Sequence, residues 1–437
     1  MGAPALLVLT VLGILFLLIF LGAPVFLAMV MASLVHWIET GRDTALVVLM
    51  QRFYGGMTSF NLLAIPMFLL AGVVMTRGGL TERLIGLAKA LVGHMRGALA
   101  QINILSSIFF GGISGSAYAD IAAMGTVFVP AMKKEGYPAG FAGAITAVSG
   151  TMAPMIPPSI VLIVYGATFG VSIGALFAAG LSLAVLIGVC YMTMAYFLAR
   201  RLDVPSYPRA TLRELLRAFG TALVPLVMPI VVVGGIFGGH FSPTEAGAIA
   251  AAYGLFVTMV IYRTIKVRDL PGILLETALT TAAVMVLIGA AFSLSYVMAA
   301  RHIPAEITAA LLTVSSDPLI LSAMILGLLF VVGMFIDRTT AVLLFGAIII
   351  PVFTQEAGFS SVHTAMIIVM ALGIGHLTPP VGGTLLMTAL VGRMSVMTIV
   401  RYIWPFIILE ICITFAVIMF PAISETLPRL LGLGGLR

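Results

Sequence analysis

Two proline pairs lie in apolar, glycine-rich stretches and are flanked by residues suited to ion binding. Proline removes a backbone donor and clashes with the preceding turn, so each pair is expected to break a helix. A broken helix exposes carbonyl oxygens that bind a hard cation, small hydroxyls add further oxygens, and glycine lets the backbone approach a ligand. The candidate binding residues here are Ser149, Thr151, Pro157 and Pro158 at the first pair, and Gly375, Thr378, Pro379, Pro380 and Gly382 at the second.

Two further polar segments, residues 111–116 and 333–340, interrupt apolar runs and read as the tips of helical hairpins. At a tip, the helix that begins offers free N–H groups to an anion, and the helix that ends offers carbonyls to a cation. The alternative is that these glycines and serines only pack helices closely. The tip candidates are Ser114, Gly115, Ser116 and Asp120 in the first and Gly333, Asp337, Arg338, Thr339 and Thr340 in the second; the Na⁺ candidates are Ser114, Ser116, Asp337, Gly375 and Thr378.

Five ionisable residues fall at or near membrane depth, where a charge suggests function. Asp120 can pair with a basic group, cap a half-helix or contribute to a cation site. Asp337 can be satisfied by its neighbour Arg338, which can alternatively meet a substrate carboxylate. Glu410 is expected to face a partner subunit or a lipid-protected polar contact. His376 is expected to be a packed neutral imidazole rather than a proton relay.

The sequence lacks the motifs of a zinc-dependent hydrolase and of an ATP-driven pump. It contains no HExxH and no phosphate-binding GxxxxGK[ST] loop. We therefore expect a transporter, not an enzyme, that needs no cofactor and draws on an ion gradient.

The elements that must position these residues are membrane helices. Hydrophobic residues make up 61% of the 437 residues and charged residues 9%, far below the roughly 25% charge of soluble chains. Several apolar segments reach the roughly 20 residues that span a bilayer. Residues 5–38 are too long for one ordinary span, and Gly22 with Pro24 divides them into two short helices or one kinked helix. The sequence predicts an all-α polytopic membrane protein.

The basic residues give the chain an orientation. Of 22 lysines and arginines, fifteen fall in connections that one topology places on a single side, taken as cytoplasmic. The net charge of +6 is thus attributed to topology and attraction to anionic lipid rather than to nucleic acid. This assignment requires two re-entrant hairpins. Residues 99–132 must enter and leave on the basic side, and residues 318–354 must enter and leave on the other side. The opposite side receives Arg42, Arg52, Arg301, Arg429 and Arg437.

An internal repeat supports the two hairpins. Pro130 precedes Pro157 by 27 residues, and Pro351 precedes Pro379 by 28. Each half contains, in order, an amphipathic segment, a hairpin and a proline-broken helix. The two halves have opposite orientations in the membrane, which is the inverted-repeat plan of many secondary transporters. Each broken helix is expected to meet the tip of a re-entrant hairpin that enters from the opposing side. The tip and the break should meet near mid-membrane.

Within this single membrane domain, the repeat predicts a moving core and a scaffold. The predicted core comprises residues 99–170 and 318–392, each a hairpin plus a broken helix. The predicted scaffold comprises 1–98, 171–317 and 393–437. Amphipathic segments at Leu80–Leu91, with leucines 80, 84, 87 and 91 on one face, and at 266–280 are expected to lie along the membrane surface.

Several motifs together resemble the large membrane subunit of the tripartite ATP-independent periplasmic (TRAP) transporters. The resemblance runs from about residue 5 to 421, and its motifs occur in the family's order. Arg338 and Ala371 depart from the family pattern, which more often has a small hydroxyl or apolar residue and an asparagine there. The motifs are LAIPMFLLAG at 63–72, GGISGSAYADIAAMG at 111–125, PAMKKEGY at 130–137, IPPS at 156–159, FSPTEA at 241–246, GMFID at 333–337 and LTPPVG at 377–382.

The resemblance implies an elevator-type, sodium-coupled importer in a bacterial inner membrane. Its expected partners are a small four-helix membrane subunit and a soluble periplasmic substrate-binding protein that delivers an organic acid. That acid is expected to be a C4-dicarboxylate, a sialic acid or another sugar acid. The alternative is a self-sufficient elevator-type dicarboxylate or anion transporter that needs no binding protein.

Overall fold

The computed structural model describes residues 3–41, 43–202, 204–315 and 317–433. Arg42 and Arg437, two of the basic residues used for orientation, lie outside these ranges. The described chain is helical, and nine of its helical segments are long and apolar enough to cross a bilayer. This confirms the predicted all-α polytopic membrane fold.

The N-terminal apolar stretch forms two helices rather than one kinked helix. Gly22, at φ +83°, and Pro24 end one helix and begin the next. On the fifth helix, Leu84 and Leu87 are buried as the amphipathic pattern predicts, whereas Leu91 is 40% exposed. The helices are α1 (Ala3–Phe20), α2 (Val25–Thr40), α3 (Asp43–Met57), α4 (Ala64–Arg77) and α5 (Thr81–Val92).

The first hairpin and the first broken helix follow directly. The hairpin turns at Gly115 and Ser116, inside the predicted tip, and its two helices pack on each other. The broken helix is interrupted between Met152 and Ile160, and the Pro157–Pro158 bond is cis. These four helices are α6 (Ala98–Ser114), α7 (Ala117–Lys134), α8 (Ala139–Met152) and α9 (Ile160–Phe169).

The middle of the chain differs from the prediction at 266–280. No separate surface helix forms there, because Leu270–Ala300 is one continuous helix with Pro271 in its first turn, where proline is tolerated. Its 31 residues measure about 46 Å at 1.5 Å per residue, longer than the roughly 30 Å bilayer core. The helices are α10 (Ile173–Ala199), α11 (Leu212–Phe237), α12 (Pro243–Phe256), α13 (Leu270–Ala300) and α14 (Ile303–Leu312).

The second half repeats the element order of the first. Its hairpin is more open, since α15 packs mainly on α17 and only lightly on α16. The Pro379–Pro380 bond is cis, like its counterpart. The helices are α15 (Pro318–Phe335), α16 (Arg338–Pro351), α17 (Ser361–His376), α18 (Gly383–Gly392), α19 (Val396–Met419) and α20 (Ala422–Leu430).

Candidate functional site

Each hairpin tip lies directly against the proline break of its own repeat. A Cβ placed on Gly115 would lie 2.3 Å from the carbonyl oxygen of Pro158. In the second repeat, a Cβ on Gly333 would lie 2.7 Å from the carbonyl oxygen of Leu372, and the Gly382 N–H donates to the Met334 carbonyl at 3.1 Å. Glycine is therefore required at both contacts for the backbones to approach.

Side chains also cross from one repeat to the other. The Tyr118 ring, at the start of α7, lies 6.4 Å from the His376 ring at the end of α17. Arg338, the first residue of α16, donates from Nη1 to the Thr151 carbonyl on α8 at 3.1 Å. The two tips and the two breaks thus converge on one region.

A cavity of about 120 Å³ lies at this convergence. Both tips contribute to its wall, which brings five predicted residues together, and four helices outside the two hairpins (α4, α9, α13 and α17) close it. The predicted residues are Gly115, Ser116, Asp337, Arg338 and Thr339; the others are Tyr118, Ala117, Pro154, Ile160, Val161 and His376, with Leu69 from α4 and Thr280 and Val284 from α13.

The hydroxyl and carboxylate groups at the tips cap the helices that begin there. Ser116 Oγ accepts from the Ala119 N–H at 3.4 Å, and Asp337 Oδ1 accepts from the Thr339 N–H at 3.2 Å. Ser114 Oγ accepts from the Ser116 N–H at 3.5 Å. Each helix therefore aims its N-terminus at the cavity, where the partial positive charge suits an anion.

Several predicted residues lie away from the cavity, in the packed wall behind it. The hydroxyls of Ser149, Thr151 and Thr378 donate to carbonyls within their own helices, those of Thr146, Val148 and Ile374. The first proline break is buried throughout, whereas Pro380 in the second is exposed. The predicted residues that do not line the cavity are Ser114, Asp120, Ser149, Thr151, Pro157, Pro158, Gly333, Thr340, Gly375, Thr378, Pro379, Pro380 and Gly382.

The structure decides between the alternatives left open for two charged residues. Asp337 is not satisfied by Arg338, because it caps α16 while the guanidinium turns to Thr151. Glu410 makes a polar contact protected from lipid, one of its two expected roles: it is 3% exposed and accepts a 2.7 Å hydrogen bond from the Tyr191 hydroxyl. His376 is packed as expected, with Nδ1 2.8 Å from the Leu372 carbonyl oxygen.

Sequence reasoning missed Tyr118, Pro154 and Thr280 as cavity residues. Tyr118 follows the first tip by two residues, and Pro154 precedes the first proline pair by three, so proximity along the chain was an available signal. Thr280 lies within the long apolar helix α13 and carries no local signal, because only the packing of α13 against the core brings it to the cavity.

We predict that Thr384→Val weakens the second break. The Thr384 hydroxyl donates to the His376 carbonyl at 2.7 Å and so ties α18 to the end of α17. Valine keeps the shape but leaves that carbonyl unpaired, which costs about 1–3 kcal/mol. Thermal unfolding of the detergent-solubilised protein should therefore shift down by a few degrees.

Thr388→Val is the matched control for this variant. The Thr388 hydroxyl donates only within α18, to the Thr384 carbonyl four residues earlier. Removing this hydroxyl leaves no polar group unpaired at the break, so the midpoint temperature of unfolding should stay within a degree of the parent's. Equal shifts in the two variants would contradict a special role for the Thr384 bond.

Comparison with known proteins places the chain among transporters. A sequence model described as "Tripartite ATP-independent periplasmic transporter, DctM component" matches residues 12–423. The chain is 36% identical over 418 residues to the sialic acid TRAP transporter large permease protein SiaM of Vibrio cholerae, covering 95% of this chain and 97% of that one.

Two further relatives carry different substrates in their names. The C4-dicarboxylate TRAP transporter large permease protein DctM of Pseudomonas aeruginosa is 36% identical, with 86% of this chain and 87% of that one covered. The ectoine/5-hydroxyectoine permease protein UehC of Ruegeria pomeroyi is 34% identical, with 93% and 95% covered. Among solved structures, the YdaH transporter of Alcanivorax borkumensis shares the fold, with a TM-score of 0.57 over 90% of each chain at 14% identity.

Proposed function

The chain belongs to the DctM component family of tripartite ATP-independent periplasmic transporters, and on that premise we propose that it imports a carboxylate-bearing solute together with Na⁺, which enters down its gradient. Its relatives are permeases rather than enzymes, and it is a multi-pass protein of the bacterial inner membrane. A periplasmic binding protein delivers the solute, and a small four-helix membrane subunit completes the assembly.

The cavity between the two tips is the observation that carries this proposal. Two helix N-termini point at it, and the hydroxyl groups of Ser116, Thr339 and Tyr118 belong to residues in its wall. Helix N-termini and hydroxyls suit a carboxylate. Sialic acid, C4-dicarboxylates and ectoine, named for three relatives, all carry that group.

The same arrangement supports alternating access by an elevator movement. The cavity wall joins both hairpins and the first broken helix to Leu69 on α4 and Thr280 on α13. A bound solute therefore lies between the repeat core and other helices. Sliding of the core past α4 and α13 would carry the solute from one side to the other.

Uptake into liposomes tests the proposal. The chain, its small membrane subunit and the cognate binding protein are reconstituted together, and solute entry is measured with and without an inward Na⁺ gradient. We expect entry only with all three proteins and the gradient. Entry without Na⁺ would overturn the coupling, and entry without the binding protein would favour a self-sufficient transporter.

We further predict that Asp120→Asn weakens Na⁺ dependence. Asp120 has no exposed surface; Oδ2 accepts from the Ser107 hydroxyl at 2.8 Å, and Oδ1 has no hydrogen-bond partner. A buried carboxylate oxygen left unpaired is costly and suits a bound cation. The amide should raise the Na⁺ concentration for half-maximal uptake about tenfold, equivalent to about 1.4 kcal/mol.

Asp317→Asn supplies the control for this measurement. Asp317 caps α15, because its Oδ1 accepts a hydrogen bond from the Leu319 N–H at 2.8 Å. Asparagine caps a helix equally well. Its Na⁺ dependence should match that of the parent. An unchanged Na⁺ dependence in Asp120→Asn would remove Asp120 from the cation site.

A further inference from the structure

The guanidinium of Arg338 lies behind the cavity wall, inside the protein. The residue is 4% exposed; Nη1 donates to the Thr151 carbonyl, and Nη2 is buried without a hydrogen-bond partner. Arg338 is itself a cavity residue, but Thr151 and Gly373, which border its guanidinium, do not line the cavity. The charged group therefore contacts the packed wall behind the cavity.

Glu410 supplies the opposite charge. A Cβ placed on Gly373 would lie 2.7 Å from Arg338 Nη2 and 3.4 Å from Glu410 Oε1, which puts the two charged groups within about 6 Å of each other. Glu410 is itself 3% exposed, and the Tyr191 hydroxyl holds its other oxygen. Gly373 leaves open the space between the two charges.

This couple lies where the two broken helices meet. Thr151 on α8 and Gly373 on α17 each precede their proline pair by six residues, so they are equivalent positions of the two repeats. The guanidinium touches both. Tyr191 comes from α10 and Glu410 from α19, so five helices contribute to a single charged junction.

The repeats differ in charge at the matching positions. Ser116 and Asp337 are equivalent, because each caps the second helix of its hairpin. Counting from these caps, Arg338 matches Ala117, and Asp120 matches Ala341. The first repeat thus buries a carboxylate with an unpaired oxygen, whereas the second has alanine there and buries an arginine instead.

We propose that Arg338 is the resident cation of the second repeat, held between the broken helices by Glu410 and taking the place of a soluble cation in that half of the site. The inference rests on the proposed function, since it concerns how many cations the site takes from solution. The first repeat must recruit a cation to Asp120. The second repeat carries its cation on the chain and has no such requirement.

The energetic argument follows from burial. An isolated buried charge is strongly disfavoured, so Arg338 and Glu410 each depend on the other. Removing one partner leaves the other uncompensated, whereas removing both leaves a neutral junction. The two residues should therefore show strong coupling although they lie on different helices.

A double-mutant cycle in detergent tests the charge couple without any transport assay. The melting temperature is measured for Arg338→Met, Glu410→Gln and the double variant. Each single variant should melt several degrees lower, and the double variant should recover most of that loss. If the double variant loses the sum of the single losses, the couple is refuted; the double variant is informative even when a single variant fails to fold.

Chemical rescue tests the cation role. In Arg338→Ala, the vacated space next to Glu410 should admit a soluble cation, so low millimolar guanidinium chloride should raise the melting temperature. Uptake should depend more steeply on Na⁺ than in the parent, with a Hill coefficient greater by about one. Adding Glu410→Gln should abolish both effects.

The control and the contrary outcomes separate this inference from the proposed function. Arg77→Ala removes an arginine that pairs with Glu276 at the protein surface, so guanidinium should not change its melting temperature. The proposal that Arg338 is a resident cation would be overturned if guanidinium did not raise the melting temperature of Arg338→Ala and the Na⁺ dependence of its uptake were no steeper than that of the parent. Na⁺-independent uptake by the parent would instead refute the coupling of uptake to Na⁺. The double-mutant cycle would still test the interaction between Arg338 and Glu410, because it measures melting temperature only.

Discussion

Gly115→Ala should reduce solute uptake at least tenfold. Gly115 joins the two helices of the first hairpin at φ +57°, a left-handed conformation that costs an alanine about 1–2 kcal/mol. The larger effect is steric, because the new Cβ would lie 2.3 Å from the Pro158 carbonyl oxygen and 3.2 Å from the Ser159 Cα. Both neighbours are backbone atoms of a fully buried segment, so neither can turn aside.

The tip and the break must therefore separate by about 1 Å to reach ordinary contact. Ser116 follows Gly115 directly and lines the cavity, so the displacement reaches the cavity. A misplacement of about 1 Å can cost a hundredfold in rate, and we expect uptake to fall at least tenfold. The measurement is Na⁺-driven uptake in liposomes, and the melting temperature of the protein in detergent is measured as well.

Gly112→Ala, one turn earlier in the same hairpin, is the matched control. Its Cβ would meet Pro229 Cβ at 3.5 Å and the Pro157 carbonyl oxygen at 3.6 Å, both ordinary contacts. Alanine also favours the helix by about 1 kcal/mol over glycine. This variant should transport and melt like the parent. Parental uptake in Gly115→Ala would show that the tip does not pack on the break.

The sequence predicted the breaks and turns well because proline and glycine act locally. Both proline pairs interrupt helices where expected, and the first hairpin turns inside its predicted tip at Gly115 and Ser116. Such residues constrain their own backbone whatever the rest of the chain does. The amphipathic pattern was a poorer guide at 266–280, because no separate surface helix forms there and residues 270–300 make one continuous helix.

The partners of buried charges could not be predicted from the sequence. Glu410 lies on α19, a helix that is apolar on all sides, so its hydropathy does not say which side is buried. Its contact with Tyr191 joins residues 219 positions apart. The bond from Arg338 to Thr151 likewise depends on how the two repeats dock. The assignment of the Na⁺ candidates and of a moving core stays a prediction.

Gly375→Ala should disrupt a close backbone contact between α15 and α17 in the second repeat. Its Cβ would lie 2.5 Å from the Phe330 carbonyl oxygen and 2.7 Å from the Cα and carbonyl carbon of Gly333. All three are backbone atoms of α15, so the whole helix must move away from α17. Small residues at such contacts allow membrane helices to approach closely, and overpacking typically costs 1–3 kcal/mol.

The loss should extend from stability to uptake. Gly333 precedes the second tip, and Met334 accepts the bond from Gly382 that ties the tip to the break. A shift of α15 moves that carbonyl and therefore loosens the tip that presents Asp337 and Thr339 to the cavity. We expect a melting temperature lower by several degrees and uptake reduced at least tenfold, with the chain still inserted in the membrane.

Gly327→Ala distinguishes this contact from a general sensitivity of α15 to added volume. Gly327 lies six residues before Gly333 on the same helix, and a Cβ there would meet no atom within 4 Å. Alanine should be neutral or slightly stabilising at that position, because it favours the helix over glycine. If both variants lost stability equally, α15 would be intolerant of alanine for reasons other than its contact with α17. A loss confined to Gly375→Ala assigns it to the backbone contact that holds the second tip against its break.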